Sequence, residues 1–478
     1  MVILGRLRIL LSVAAVITGC VILVWNPQRA IELLLLLTVA VWTSLAVVRY
    51  PNTYVFLLIL AITNIFGIFN ILEEWRIPGI GKPSDFILVF MNVMVLAFFL
   101  MRRAELTRAE KRFSRLALAI IGYVIFLVFY SAMQGYESLD YALRIGGTYL
   151  YYSAFFFPIF LITERRQLVH FINFLRLAGF ITGLITIISN VVGHSVVTAT
   201  LSAETEGYVR VYLPYFFNFF VVGLWTAQFM TRYEGEARVH FWEMIVNALG
   251  QILFLGRGQI VGLILVGLLS WMVVPRATQK GKRALWAATA VSVGLVLAFA
   301  GFGFDSTGIA NRFRHGILQT MQGTGTFNGR LQAEFHGVQA FLRSPLFGTG
   351  FVYPTSPIYS SLITTSGTAA TNSSDFGLGS ILFTTGIIGF GLITYFVFSI
   401  ISHIRRELRE REPINGDRLV YVYSMTILVI IPVLFIVVQL ISNEFGGRSA
   451  AVDAIALAYS VRFLEAESTS RKLQGANP

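Results

Sequence analysis

Arg257 is the residue whose surroundings most directly suggest binding chemistry. It stands between Gly256 and Gly258 in an otherwise apolar stretch. A guanidinium can hold a phosphate through two parallel hydrogen bonds, and flanking glycines let a bulky ligand approach the backbone. The alternative is an arginine that reaches out to lipid headgroups. The sequence therefore predicts either an anion site or a membrane anchor at this position.

Other charged residues occur in segments that fall on the same side of a membrane as Arg257 in the topology given below. That side normally carries few basic residues, so each arginine there needs a reason. Ion pairs are one reason, because Arg210 follows Glu204 and Glu206, and Glu444 lies four residues before Arg448. Ligand binding is the other reason. The candidates for it are Arg210, Arg312, Arg314, Arg330, Arg343, Glu444 and Arg448.

Asp375 is the first candidate for proton transfer. It precedes an apolar run, where aspartate is a favoured helix N-cap, and a carboxylate there can also act as a general base toward a hydroxyl. Glu334 and His336 are rival bases, although a surface helix often carries such residues with no chemical role. One cysteine and six histidines without HxxxH or HExxH spacing give no indication of a metal or other cofactor.

Composition determines which elements must position these residues. Of the 478 residues, 56% are hydrophobic and only 13% are charged, whereas a soluble domain has roughly 25% charged residues. The apolar stretches are long and continuous, which argues against alternating barrel strands. We therefore predict an all-α polytopic membrane protein.

Fourteen segments are long and apolar enough to cross a bilayer of ~30 Å. The pair that flanks Arg257 is separated only by the Gly-Arg-Gly turn. The predicted spans are 8–25, 31–48, 54–72, 84–101, 116–133, 145–162, 168–192, 211–231, 241–256, 258–275, 284–303, 375–402, 419–442 and 449–464.

The charge distribution orients these spans. With the N-terminus in the cytoplasm, most of the 37 Lys and Arg residues fall inside, as the positive-inside rule requires. The net charge of +12 is therefore explained by topology rather than by nucleic-acid binding. Both termini are predicted to be cytoplasmic. The domains are spans over 1–303, an outside loop over 304–374, spans over 375–464 and a cytoplasmic tail over 465–478.

The outside loop over 304–374 contains a predicted helix. Leu331, Phe335, Val338 and Leu342 recur at helical spacing after a Gly/Thr-rich turn at 323–329, and Pro345 stops the pattern. We expect an amphipathic helix over 330–343, with Arg330 in its first turn, lying on the outer membrane face or against the span bundle. The uncharged stretch 344–374 is rich in hydroxyls and predicts either a glycan groove or a flexible lid.

Three sequence blocks in this order carry a family resemblance. They are LGRGQIVGLILVGLL, FNGRLQAEFHGVQAFLRSPLFGTG and SDFGLGSILFTTGIIGF. Together they resemble the bacterial O-antigen polymerase and ligase superfamily, whose polymerases are called Wzy. The blocks cover about 120 residues, and the many-span topology with one large loop extends the resemblance to the whole chain.

The resemblance implies a GT-C-like membrane fold and a metal-independent glycosyltransferase with no cofactor. Such proteins transfer a glycan from an undecaprenyl pyrophosphate carrier to an acceptor hydroxyl at the periplasmic face of the inner membrane. Arg257 and Arg330 match the positions whose arginines hold the pyrophosphate, and Arg210 matches more weakly. The implied partners are lipid-linked donor and acceptor oligosaccharides, membrane lipids and a chain-length regulator protein, with no nucleic acid.

One departure from the family pattern separates polymerase from ligase. Ligases carry a His-Asn pair in the last block, and counting back from Gly386-Ile-Ile-Gly389 puts Asp375 and Phe376 there. An aspartate at this position is similar to the pattern of the polymerase branch. The departure leaves the identity of the general base open. The rivals are a ligase that moves glycan to lipid A–core or protein, and a flippase of lipid-linked glycan. A flippase should carry charges inside the membrane, where we identify mainly Arg176.

Overall fold

The structure is a computed structural model that describes the central and C-terminal parts of the chain. The described residues are 105–192, 202–205, 208–211, 215–230, 240–253, 326–352, 377–410, 418–438 and 449–475, with isolated residues of 55–62 and 262–269.

Almost all of the described chain is helical. The α-helices are α1 Arg108–Met133, α2 Leu139–Gly146, α3 Phe156–Leu161, α4 Arg165–Val192, α5 Tyr215–Met230, α6 Phe241–Leu253, α7 Thr326–Arg343, α8 Leu378–Glu410, α9 Arg418–Val433 and α10 Ala450–Gly475. A 3₁₀ helix, Tyr149–Phe155, leads into α3, and a π-helical turn, Leu434–Val438, extends α9. A short hairpin pairs β1 Ser202–Thr205 with β2 Tyr208–Val211.

Four of the described helices are long and apolar enough to cross a membrane, and this confirms a helical membrane protein. They are Arg108–Met133, Arg165–Val192, Leu378–Glu410 and Arg418–Ile436. Tyr149–Leu161 and Phe216–Met230 are shorter apolar helices. The predicted spans 8–25, 31–48, 84–101 and 284–303 lie outside the described residues, and 54–72 and 258–275 are described only in part. The count of fourteen stays a prediction.

Helix α10 lies at the centre of the described bundle. Every residue from 450 to 461 is buried, and the run is rich in alanine, which lets neighbouring helices approach closely. The Tyr459 ring stacks on Phe171 of α4 at 4.0 Å between centroids. The Tyr423 hydroxyl of α9 donates to the Ala456 carbonyl at 3.0 Å. The predicted span 449–464 is therefore a buried core helix.

Helices α4, α5 and α6 are joined by small residues and buried carboxamides. Gly183 of α4 abuts the α6 backbone, since a Cβ there would lie 2.7 Å from the Asn247 Cα. The Asn247 amide donates to the Gly179 carbonyl at 2.7 Å, and the Gln251 amide donates to the Asn218 carbonyl at 3.0 Å. Such bonds hold helices together where lipid offers no hydrophobic driving force between them.

One side of the bundle gathers contacts between charged and polar side chains of several helices. The Arg462 guanidinium of α10 lies 2.7 Å from the buried Glu110 carboxylate of α1 and donates to the Ile162 carbonyl that follows α3. His403, near the end of α8, lies 3.2 Å from Glu465 of α10. These contacts place the start of α1, the ends of α3 and α8 and the middle of α10 on the same side.

The hairpin is an element that the hydropathy pattern does not predict. Its register sets Arg210 opposite Ala203 and Glu204 opposite Val209. Because successive positions of a strand alternate between its two faces, Glu204 and Arg210 occupy opposite faces of the hairpin. This register does not favour the Glu204–Arg210 pair that the sequence suggests.

Candidate functional site

The predicted site residues fall into two groups with respect to the structure. Arg210 lies in β2, and Arg330, Glu334 and His336 lie in α7; of these, the structure describes the side-chain contacts of Glu334. The residues that lie outside the described part of the chain are Asp375, Arg257, Arg312, Arg314, Glu444 and Arg448.

Helix α7 is longer than the sequence pattern predicts. It begins at Thr326 rather than at residue 330, so the predicted turn at 323–329 is helical over its second half. Gly329 lies within this helix. Arg330 therefore lies in the second turn of α7, not the first. It stands one turn before Glu334 and two turns before Gly337, on the same face of the helix by spacing. His336 is 200° away from Glu334 around the helix.

Glu334 joins α7 to the beginning of α8. Its two carboxylate oxygens accept hydrogen bonds from the backbone N–H groups of Gly377 and Gly379. The first N–H groups of a helix have no partner within the helix, and its positive end attracts a carboxylate. Burial raises the pKa of the Glu334 carboxyl, while the two N–H groups act to lower it. Glu334 thus caps α8 from a different helix.

The two helices touch through glycines at this point. A Cβ on Gly337 would lie 3.2 Å from the Gly379 backbone, and a Cβ on Gly379 would lie 2.7 Å from the Glu334 carboxylate. A side chain at Gly337 would push the Gly379 backbone away by a few tenths of an ångström, and a side chain at Gly379 would displace the Glu334 carboxylate. The spacing Glu334-x-x-Gly337 therefore has a physical reason.

Helix α8 breaks at Gly386, and the chain after α7 bonds to the free carbonyls. Gly386 has φ +63°, a conformation that favours glycine. Just before the break, the Phe383 carbonyl accepts from the Thr349 N–H at 2.8 Å, and the Thr384 carbonyl accepts from the Gly350 N–H at 3.1 Å. Backbone groups that the break would leave unpaired are satisfied in this way.

The N–H groups just after the break are satisfied by the same segment. The Ile387 N–H donates to the Pro345 carbonyl at 2.9 Å, and the Ile388 N–H donates to the Leu346 carbonyl at 3.3 Å. Residues 344–352 are thus fixed against α8. The start of the predicted lid or groove over 344–374 is a packed structural segment, and 353–374 lies outside the described residues.

The GTG sequence at 348–350 is explained by this contact. Gly348 has φ +68° and Gly350 has φ +73°. A Cβ on Gly348 would lie 2.7 Å from the Gly386 nitrogen, and a Cβ on Gly350 would overlap the Ser131 hydroxyl. Larger residues at either position would separate the segment from α8 and α1.

Residues that the sequence patterns did not indicate anchor this unit to the bundle. The Ser131 hydroxyl of α1 accepts from the Phe351 N–H at 2.6 Å. The Tyr123 hydroxyl of α1 donates to the Thr385 carbonyl at 2.7 Å. The Tyr149 hydroxyl lies 3.1 Å from that of Thr384. Their only sequence signal is a polar group within an apolar run, which fixes no partner.

Arg176, the charge that the sequence places within a span, has partners that the sequence did not indicate. Arg176 of α4 lies 3.1 Å from the Glu243 carboxylate of α6, and its guanidinium contacts the His240 ring. Asp453 in the first turn of α10 is 1% exposed. Arg176 is therefore part of an ion pair, and Glu243 and Asp453 are two further charged residues within the predicted spans.

His403, Glu407 and Glu465 form a cluster whose ligand atoms lie within 4.8 Å of one another. The Arg406 guanidinium lies 3.2 Å from His403 Nδ1, and a guanidinium only donates hydrogen bonds. Arg406 therefore lies against Nδ1, while Nε2 faces Glu465 at 3.2 Å. A cation already placed against the ring disfavours a metal ion, and the cluster is better explained as a set of polar contacts between α8 and α10.

No family model matches the chain, and no curated protein matches it. The resemblance to the O-antigen polymerase and ligase superfamily rests on the three sequence blocks. The geometry adds that the second and third blocks, which include Glu334 and Gly386, form one packed unit.

Proposed function

We propose that the protein is a polysaccharide polymerase of the inner membrane. It transfers glycan from an undecaprenyl pyrophosphate-linked donor to a hydroxyl of a lipid-linked repeat unit. The proposed whole-chain architecture is GT-C-like, with about fourteen spans and both termini in the cytoplasm. The proposed active site lies at the periplasmic end of α8.

The contact between Glu334 and the start of α8 is the observation that carries this proposal. Arg330 stands one helical turn before Glu334, and Asp375 stands two residues before Gly377 in the sequence. The residues proposed to bind the leaving group and to accept the proton thus belong to two segments that one contact joins. A merely connecting loop would not need so close a junction.

The proposed reaction is a displacement at the anomeric carbon of the donor. Arg257 and Arg330, assisted by Arg210, hold the pyrophosphate and offset the charge that develops as it leaves. Asp375 takes the proton of the acceptor hydroxyl, whose oxygen attacks the anomeric carbon while the bond to pyrophosphate breaks. Direct attack from the opposite side inverts the configuration at that carbon.

The test replaces Arg330 by alanine in cells that depend on this chain for polymer. We expect long polysaccharide to disappear and single repeat units to accumulate on the lipid carrier. The matched control is Arg409→Ala, an exposed arginine near the other end of α8, which should leave polymer length unchanged. The amount of each variant in the membrane is measured in parallel.

Two other outcomes contradict the proposal. Long chains that accumulate on the carrier would identify a ligase, because polymerisation would then precede the blocked step. Polymer of normal length in Arg330→Ala would remove the arginine from the mechanism.

Purified protein incubated with lipid-linked repeats in detergent separates polymerase from flippase, since transport needs two compartments and polymerisation does not.

A further inference from the structure

Helix α7 and the first part of α8 run side by side in the same direction. Gly337 abuts Gly379, and eight residues later the Pro345 carbonyl accepts from the Ile387 N–H, which is eight residues after Gly379. At 1.5 Å per helical residue, the chain after Gly337 descends roughly 12 Å alongside α8. Helix α7 therefore does not lie flat across the end of α8.

The lowest point of this descent can be placed on a neighbouring span. The Tyr123 hydroxyl of α1 donates to the Thr385 carbonyl at 2.7 Å, directly before the break. Tyr123 stands ten residues before the end of α1 at Met133, which is roughly 15 Å along the helix axis. That is about half of a hydrocarbon core of ~30 Å. The break, and the segment bonded to it, lie near mid-depth.

The chain then turns back toward the end of the bundle from which it came. Leu346 bonds to Ile388, Gly350 bonds to Thr384, and Phe351 bonds to Ser131, two residues from the end of α1. Non-helical backbone at membrane depth is tolerated where it is buried in protein with its polar groups satisfied. The hydrogen bonds at the α8 break meet that requirement.

One face of the descending helix is apolar and largely exposed in the part of the chain that the structure describes. Phe335 is 62% exposed, Leu342 is 66% exposed and Leu346 is 58% exposed, whereas Gly337 and Ala340 on the other side are buried toward α8. This apolar face is continuous with exposed apolar residues of two spans. They are Ile387 and Ile388 of α8, which bond to residues 345 and 346, and Phe126 of α1, whose ring contacts Phe347 at 5.4 Å.

We infer that α7 and residues 344–352 form a re-entrant helix and turn, which enter the membrane beside α8 and expose the Phe335–Leu342–Leu346 face to lipid acyl chains. Continuity with the apolar surface of candidate spans selects lipid over a protein partner. Arg343, exposed at the end of α7, fits this placement. Helical side chains point back toward the helix N-terminus, so its guanidinium is directed toward the headgroups. The inference does not depend on the proposed reaction.

Site-directed spin labelling of the full chain in liposomes tests the inference. In a Cys20→Ser background, which removes the single cysteine, labels are placed by Phe335→Cys, Leu342→Cys and Leu346→Cys. Ile125→Cys, 46% exposed in the middle of α1, is the lipid reference. Glu410→Cys, exposed at the charged end of α8, is the water reference. Collision rates with oxygen and with a water-soluble nickel chelate report depth.

The expected result is a ratio of oxygen to nickel collisions that rises from residue 335 through 342 to 346. The ratio at 346 should match that of Ile125→Cys within about twofold and exceed that of Glu410→Cys at least tenfold. Nickel accessibility at 342 and 346 equal to that of the water reference would overturn the inference. Low accessibility to both reagents would also overturn it, because the face would then be covered by protein.

Discussion

Glu334 is the residue whose side chain most directly connects the large loop to a span. Glu334→Ala removes both acceptors for the N–H groups of Gly377 and Gly379, and loss of a helix cap costs about 1–2 kcal/mol. We expect a lower unfolding temperature in detergent, measured by tryptophan fluorescence. Glu334→Gln should lie between, because an amide oxygen still accepts one N–H. Gln339→Ala, exposed on the same helix, should change little.

The same variants separate capping from catalysis. If Glu334 only positions α8, polymer formation should follow stability, and Glu334→Gln should keep most of the activity. A stable Glu334→Gln protein without activity would indicate a proton-transfer role instead. A Glu334→Ala protein as stable as Gln339→Ala would contradict the capping role.

Single residues also show what the sequence could not reveal. Glu334 was identified as a candidate for chemistry, but its partners lie 43 and 45 residues later in the chain, and no local pattern encodes that contact. The same holds for Arg176, whose partner Glu243 is on another helix. Charge type can be read from the sequence, whereas pairing requires the tertiary fold.

At the scale of elements, the break in α8 depends on Gly386. Gly386→Ala forces a left-handed conformation on a residue with a side chain, which costs about 1–3 kcal/mol. Its Cβ would also lie 2.5 Å from the Gly348 nitrogen and overlap the Leu346 carbonyl. We expect a clear drop in unfolding temperature, measured in detergent. The control is Gly391→Ala on the same helix, where a Cβ meets nothing within 4 Å.

The two substitutions should have different effects on the unfolding temperature. Alanine is a better helix former than glycine by roughly 1 kcal/mol, so Gly391→Ala should be neutral or slightly stabilising. Equal unfolding temperatures for Gly386→Ala and Gly391→Ala would mean that the segment 344–350 does not hold the break in place.

Elements were predictable where hydrophobic length or periodicity determines them. The apolar runs 116–133, 168–192 and 375–402 correspond to α1, α4 and α8, and the periodic loop pattern corresponds to α7. The break at Gly386 was not predicted, because glycine is common in membrane helices and its φ depends on the segment bonded beside it. The β1–β2 hairpin was missed because four-residue strands carry little pattern.

At the scale of the whole molecule, ionic contacts and charge agree on which helix ends share a side. The contacts Arg462–Glu110 and His403–Glu465 bring the start of α1, the end of α8 and the middle of α10 together. Basic residues concentrate at those same ends, as the positive-inside rule requires for a cytoplasmic face. They are Arg108, Lys111, Arg112, Arg115, Arg405, Arg406 and Arg409.

That agreement predicts the orientation of the chain in intact cells. Gln134→Cys, exposed just after α1, and Glu410→Cys, exposed at the end of α8, are made in the Cys20→Ser background. Because the basic ends should face the cytoplasm, a membrane-impermeant maleimide should label position 134 in whole cells and position 410 only after permeabilisation. The reverse pattern would turn the Glu334 junction toward the cytoplasm, where a periplasmic polymerase could not work.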